Sequence, residues 1–221
     1  MTSNKIDPIS LEIPGAHGHR VDNKFYQHEE AVDKFAVIFP GLGYTCDKPM
    51  LYYTSKLLLA RGYDVLQLWT DYNDPAFDEL PRAEQTFQLI EDGKALLAAG
   101  LQVKNYSNLL LAGKSLGTLT MTFIISEDLR YSSEKTIWFT PLMHLPPVSR
   151  AILDLSGKAF VAGSDSDLTY ESQAVADLQS NTNVTTLTIR QANHSLEIPG
   201  DPIRSIQIIS QVMAQLAAFL S

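Results

Sequence analysis

Cysteine is nearly absent from this chain. Cys46 stands alone among 221 residues, so no internal disulfide can form and a disulfide-stapled scaffold is excluded. Long hydrophobic runs are missing as well. No stretch approaches the roughly 20 apolar residues that a membrane helix needs, and the opening "MTSNKIDPIS" lacks the apolar core of a secretory signal. Positive charge is scarce: 17 Lys and Arg stand against 25 Asp and Glu, a formal net charge of −8. A duplex binder carries a basic face; with no basic cluster in the chain, neither nucleic acid nor a membrane is expected as a partner. Low-complexity tracts, internal repeats and linkers are also lacking. At 45 % hydrophobic and 19 % charged residues, the chain reads as an ordinary soluble protein, long enough for one domain with a sizeable core and short for two. Cytoplasm is the expected compartment, and nothing specifies an oligomeric state.

What is present is alternation. "FAVIF" (35–39), "YDVLQLW" (63–69), "NLLLAG" (108–113), "KTIWFT" (135–140), "KAFVAG" (158–163) and "VTTLTIR" (184–190) read as strands. Several are continuously apolar, the pattern of strands buried on both faces of a helix-covered parallel sheet. Helical segments lie between them. Asp47 with Pro49 opens a helix that Gly62 ends, and Leu80, Ala83, Phe87, Ile90 and Leu97 mark the apolar face of a second that stops at Gly100. Asp201 and Pro202 open a last helix whose face would be Ile206, Ile209, Met213, Leu216 and Leu220. The expected fold is α/β, a single doubly wound, mostly parallel sheet with helices on both faces. Residues 10–34 read as a peripheral hairpin leading into it.

The segment "NLLLAGKSLGTLTM" (108–121) carries two signatures. "GKS" ends a phosphate-binding loop, but that motif requires G-x-x-x-x-G-K-[ST] on a flexible loop. The first glycine would fall at Asn108, and Leu109 to Ala112 are strand. G-x-S-x-G fits better: Gly113, Ser115 and Gly117 bracket a sharp strand-to-helix turn that strains the serine and exposes its hydroxyl. The glycines are needed where a Cβ would collide as strand and helix approach.

A nucleophilic serine requires a base, and the base an orienting acid, in the chain order Ser, Asp or Glu, His. His194, in "IRQANHSLEI", follows the final strand. For the acid, "FVAGSDSDLTYE" offers Asp165 and Asp167. Thr169 can cap a helix beginning near Tyr170, which leaves Asp167 free, so Asp167 is preferred and Asp165 is the alternative. Two backbone N–H groups must hold the oxyanion. The residue after the nucleophile, Leu116, supplies one, and Leu42, in the glycine-rich "FPGLGYTCDKPM", supplies the other.

Together "PGLGYTCDKPM", "GKSLGT", "GSDSDLTYE" and "ANHSLE" resemble the α/β-hydrolase superfamily, in particular its small lidless members related to dienelactone hydrolases and carboxylesterases. The resemblance runs from about Phe35 to the C-terminus. It implies a Ser115, Asp167, His194 triad and hydrolysis of an ester or related acyl bond, with no cofactor and no metal. There are departures. Pro40 stands where many relatives have histidine, and Thr118, in place of glycine, is expected to narrow the floor of the site. Dienelactone hydrolases proper use cysteine where this chain has Ser115, which argues against their substrate.

Other candidates read as bland. Cys46 is a small apolar filler, and His17, His19 and His28 are surface residues without the carboxylate spacing of a metal site. His144 precedes both aspartates and is out of order for the base, although its loop is expected to line the pocket with Met143. The leading expectation is a serine hydrolase with a small acyl substrate. Thioesterase or acyltransferase chemistry, or a non-catalytic binding module on the same scaffold, are the alternatives.

Overall fold

The computed structural model describes residues 6–70, 72 and 75–221. Residues 1–5 of the opening segment and the side chain of His17 lie outside the described residues. A seven-stranded sheet runs through the molecule in the order β1-β3-β2-β4-β5-β6-β7. The strands are β1 (Asn23–Tyr26), β2 (Lys34–Phe39), β3 (Tyr63–Leu68), β4 (Asn108–Lys114), β5 (Lys135–Phe139), β6 (Ala159–Ser164) and β7 (Val184–Ile189). All neighbouring pairs from β3 to β7 are parallel, and β1 adds antiparallel to β3 at the edge. Helices α1 (Pro49–Ala60), α2 (Pro75–Asp78), α3 (Arg82–Val103), α4 (Leu116–Glu127), α5 (Pro146–Leu153), α6 (Ser172–Ser180) and α7 (Pro202–Phe219) fill the connections. This is the expected doubly wound α/β architecture.

The continuously apolar strands divide their side chains between two cores, because successive residues point to opposite faces. Phe35, Val37 and Phe39 share one core with Leu96 of α3, Met121 and Ile124 of α4, Val148 of α5 and Leu178 of α6. Ala36 and Ile38 share the other with Met50 and Leu58 of α1 and Val212 and Leu216 of α7. Each fully buried side chain of Val, Leu or Phe size contributes about 1.5–3 kcal/mol of transfer free energy. The two cores hold the strand ends, and the loops that leave them, in fixed register.

The helices depart from expectation at three points. α3 runs through Gly100 to Val103, because that glycine is a contact point and not a stop: a Cβ there would lie 2.3 Å from Phe35 Cζ. α7 buries Ser205, Ile208, Val212 and Leu216, while Ile206 is 62 % exposed. Apolar residues extend beyond the buried face, opposite the exposed stripe of Arg204, Gln207, Gln211 and Gln215, and Ser205 tethers the inward side: its Oγ accepts from Ile198 N at 2.9 Å and donates to Asp201 O at 2.8 Å. α6 begins at Ser172, capped by the Glu171 carboxylate on Gln173 N and Ala174 N, and not by Thr169. In the N-terminal segment, Val21 N donates to Ile13 O at 2.9 Å to close a short hairpin before β1.

Two histidines read as surface residues prove to be tied down. His19 Nε2 lies 3.0 Å from Asp92 Oδ2, and His28 Nδ1 lies 3.1 Å from Asp64 Oδ1, both carboxylates being wholly buried. Among the described residues, no His, Cys, Asp and Glu cluster of metal-binding size occurs, and no helix is long and apolar enough to cross a membrane.

Candidate active site

The loops that leave the C-terminal ends of β2, β4, β5, β6 and β7 converge at one edge of the sheet, the usual position of a site in an open parallel sheet. At the end of β4 the chain turns into α4 within one residue. Ser115 sits at that corner with φ 51° and ψ −116°, a left-handed conformation that costs a non-glycine residue about 1–3 kcal/mol. The flanking glycines allow the turn. A Cβ on Gly117 would lie 2.1 Å from Phe39 O, and one on Gly113 would lie 2.6 Å from Met121 Sδ and 2.8 Å from Gly117 O. Strand and helix meet at backbone distance, so no side chain fits between them.

Ser115 Oγ is 2.8 Å from His194 Nε2, and His194 Nδ1 is 2.6 Å from Asp167 Oδ2. The expected serine, histidine and aspartate are therefore brought together from the ends of β4, β7 and β6. The Asp167 side chain is 3 % exposed against 39 % for His194, so the acid lies underneath and the imidazole opens to solvent. Burial opposes ionisation of Asp167, but the His194 hydrogen bond and the 2.9 Å bond from Thr169 N hold its carboxyl below the usual carboxylate value.

Asp165 points elsewhere. It is exposed, and its Oδ1 accepts from Gln191 N at 3.0 Å and from Ser166 Oγ at 3.1 Å. It braces the loop after β7 without reaching His194. Ser164 Oγ donates to Ala192 O at 2.6 Å in the same loop, and Asn193 Oδ1 accepts from Ser195 N at 2.9 Å and Glu197 N at 3.1 Å. These bonds fix the turn that carries His194.

The glycine-rich loop after β2 passes against the serine. A Cβ on Gly41 would lie 3.1 Å from Ser115 Cβ, and Leu42 beside it is 49 % exposed. Leu116 is the first residue of α4, where the N–H groups have no acceptor within the helix and the dipole is positive. Among the described residues, neither the Leu42 N–H nor the Leu116 N–H finds an acceptor.

Thr118 does not narrow the site. It is wholly buried, donates from Oγ1 to Ser115 O and accepts from Leu142 N at 3.4 Å, which ties the elbow to the loop after β5. Met143 in that loop is buried and His144 is exposed, and His144 N donates to Thr169 O at 3.2 Å. That loop thus braces the turn that carries Asp167. Cys46 is buried 3.4 Å from Leu68 O, and burial pushes its thiol far above the ordinary range, as suits a filler.

The fold is shared with solved structures. An α/β serine hydrolase homologue from Coxiella burnetii superposes at a TM-score of 0.69 with 15 % identity, covering 98 % of this chain and 99 % of that one. This is the α/β-hydrolase fold. A serine hydrolase without lid from Xanthomonas campestris matches at 0.67 and 16 % over 97 % of this chain and 92 % of its own. An esterase from Pyrococcus furiosus matches at 0.70 and 15 % over 97 % and 92 %. No protein-family model and no curated protein matches the sequence. Within the α/β-hydrolase fold, the sequence does not reveal that Lys114 is buried against the loop that carries His194. Lys114 ends a strand that is otherwise apolar from Leu109 to Gly113 and precedes the elbow, so a buried charge was legible there, but its partners were not.

Proposed function

We propose that this protein is a serine hydrolase that cleaves small ester or related acyl bonds through an acyl-enzyme. Ser115 Oγ attacks the carbonyl carbon while His194 Nε2 takes its proton. Asp167 keeps the Nδ1 proton in place and stabilises the imidazolium that forms. The N–H groups of Leu42 and Leu116 take up the charge on the carbonyl oxygen. His194 returns its proton to the departing alcohol, leaving an ester on Ser115. A water deprotonated by His194 then attacks that ester and releases the acid. The chemistry calls for no cofactor.

The observation that carries this reading is the unbroken hydrogen-bond chain from Ser115 Oγ through both nitrogens of His194 to Asp167, at 2.8 and 2.6 Å. The neighbours described as serine hydrolase and esterase favour it, as does the strained serine. A small substrate is favoured because, among the described residues, the connection from β5 to β6 holds a single eight-residue helix, α5. The partner is then a small acyl compound, and the proposed compartment is the cytoplasm, in keeping with an acidic chain that has one buried thiol. The test is Ser115→Ala, which should lower ester turnover by about 10⁴-fold or more with thermal unfolding unchanged. Turnover retained by the purified variant would overturn the proposal.

A further inference from the structure

Lys114 is a charged side chain at this site for which the proposed chemistry has no step. It lies between Gly113 and Ser115, is 1 % exposed, and donates from Nζ to Thr140 Oγ1 at 2.9 Å and to the His194 carbonyl at 2.9 Å. The Nζ also stands 4.3 Å from the centroid of the Tyr44 ring. These partners come from the loops after β5, β7 and β2. The elbow and the loops after β5 and β7 hold the strained backbone: Ser115 at φ 51°, Thr140 at φ 38°, and Gln191 and Leu196, which flank His194, at φ 63° and 60°. Non-glycine residues keep such angles only where their surroundings over-determine them. The ammonium is the group that links all of these segments.

We propose that Lys114 is a positioning residue for His194, its ammonium pinning the main chain at His194 to Thr140 and the elbow so that Nε2 stays on Ser115 Oγ. The inference rests on the reading of Ser115 as the nucleophile. Hydrogen bonds from a charged donor are roughly twice as strong as neutral ones, so the pin weakens when the lysine loses its proton. Burial brings Lys114 down to about 8, with Asp167 and Glu197 opposing. Asp167 faces it from the loop after β6, Glu197 and His194 from the loop after β7, and Tyr44 from the loop after β2. Tyr44 is held up at about 12 by burial and stays neutral throughout. Because the folded value is below the ordinary 10.5, the folded protein gives up this proton first. Its loss between those values stabilises the fold, so a decline in activity there is not unfolding driven by this group.

The experiment measures kcat and KM for p-nitrophenyl butyrate from about pH 5.5 to 9.5 on the wild type and on Lys114→Met, with melting temperatures alongside. The wild type should show a descending limb near pH 8 without a fall in melting temperature. Lys114→Met should lose about 10- to 100-fold in kcat with KM within about twofold, and its descending limb should vanish. A variant with wild-type kcat overturns the proposal, as does one whose kcat falls while the limb persists, which would make Lys114 a packing element. If the variant does not fold, the wild type decides: a profile without a descending limb up to about pH 9.5 overturns it. Turnover by Ser115→Ala would instead sink the parent reading, whatever Lys114 does.

Discussion

Asp167→Asn tests the hydrogen-bond logic of the site at a single atom. The Asp167 carboxylate accepts on both sides, His194 Nδ1 at 2.6 Å on Oδ2 and Thr169 N at 2.9 Å on Oδ1. An asparagine has one acceptor and cannot serve both donors. If its oxygen stays on Thr169 N, the amide NH₂ faces His194 Nδ1, which must then give up its proton and accept. The imidazole proton moves to Nε2 and points at Ser115 Oγ, so in the proposed mechanism His194 can no longer take the serine proton. If the amide flips, a donor meets the Thr169 N–H in a buried position, at a cost of about 1–3 kcal/mol, and the negative charge that balances an imidazolium is still lost. The serine-hydrolase precedent for this change is a loss of about 10⁴ in kcat, equivalent to about 5.4 kcal/mol of transition-state stabilisation. Asp165→Asn differs in kind. Its Oδ1 accepts from Gln191 N on the exposed side of the loop, and an asparagine oxygen does the same, so kcat should stay within about twofold. Both variants are assayed on p-nitrophenyl butyrate after their melts are matched to wild type. Equal losses, a larger loss at Asp165, or an Asp167→Asn enzyme that keeps a tenth of its kcat would refute the reasoning.

On a series of p-nitrophenyl esters, acetate and butyrate should be turned over best, with efficiency falling beyond about eight carbons. Each methylene left unburied forfeits about 0.8 kcal/mol, and a preference for palmitate would contradict the open site. Gly117→Ala should cost about 3 kcal/mol or more in urea unfolding, because its Cβ would stand 2.1 Å from Phe39 O, whereas Gly163→Ala, with open space around it, should stay within about 0.5 kcal/mol. Equal effects would remove the close-approach argument. Asp64 is buried, which opposes its ionisation, yet hydrogen bonds from Lys104, His28 and Tyr106 hold its carboxyl below the usual value. A lowered carboxylate contributes stability that is full above its unfolded value of 3.8 and is lost as pH falls through the folded value. Asp64→Asn should therefore cost about 2 kcal/mol at pH 7, and the difference from wild type should shrink at about pH 3; a gap unchanged by acid would refute this account.

Features held by local rules were legible in the sequence. The buried strands announced themselves as apolar runs, and the elbow followed from glycine spacing at a strand-to-helix junction. His194 was found by chain order after the last strand. The sequence favours Asp167 over Asp165 if Thr169 caps the next helix. Glu171 is the cap instead, and Asp167 lies on His194 for a different reason, the placement of its turn by Thr169 N and the loop after β5. What could not be read depends on partners far along the chain. His19 and His28 meet carboxylates 73 and 36 residues away, and Lys114 reaches the His194 carbonyl across 80. No local pattern encodes such pairs. Gly100 looked like a helix stop because nothing nearby reveals that Phe35 packs over it. α7 carries apolar residues beyond its buried face, so the sequence allowed more than one inward face, and Ser205 tethers the one observed.

The central claim is that Ser115 is an activated nucleophile, and the most direct measurement is the mass of the protein after exposure to a fluorophosphonate probe, followed by peptide mapping. An ordinary serine hydroxyl is inert to this reagent, while one hydrogen-bonded to an oriented imidazole attacks it and keeps the phosphonyl group. One adduct per chain is expected, mapped to Ser115 and absent from Ser115→Ala. A folded wild-type protein that takes up no label, or an adduct that persists in Ser115→Ala, would contradict it.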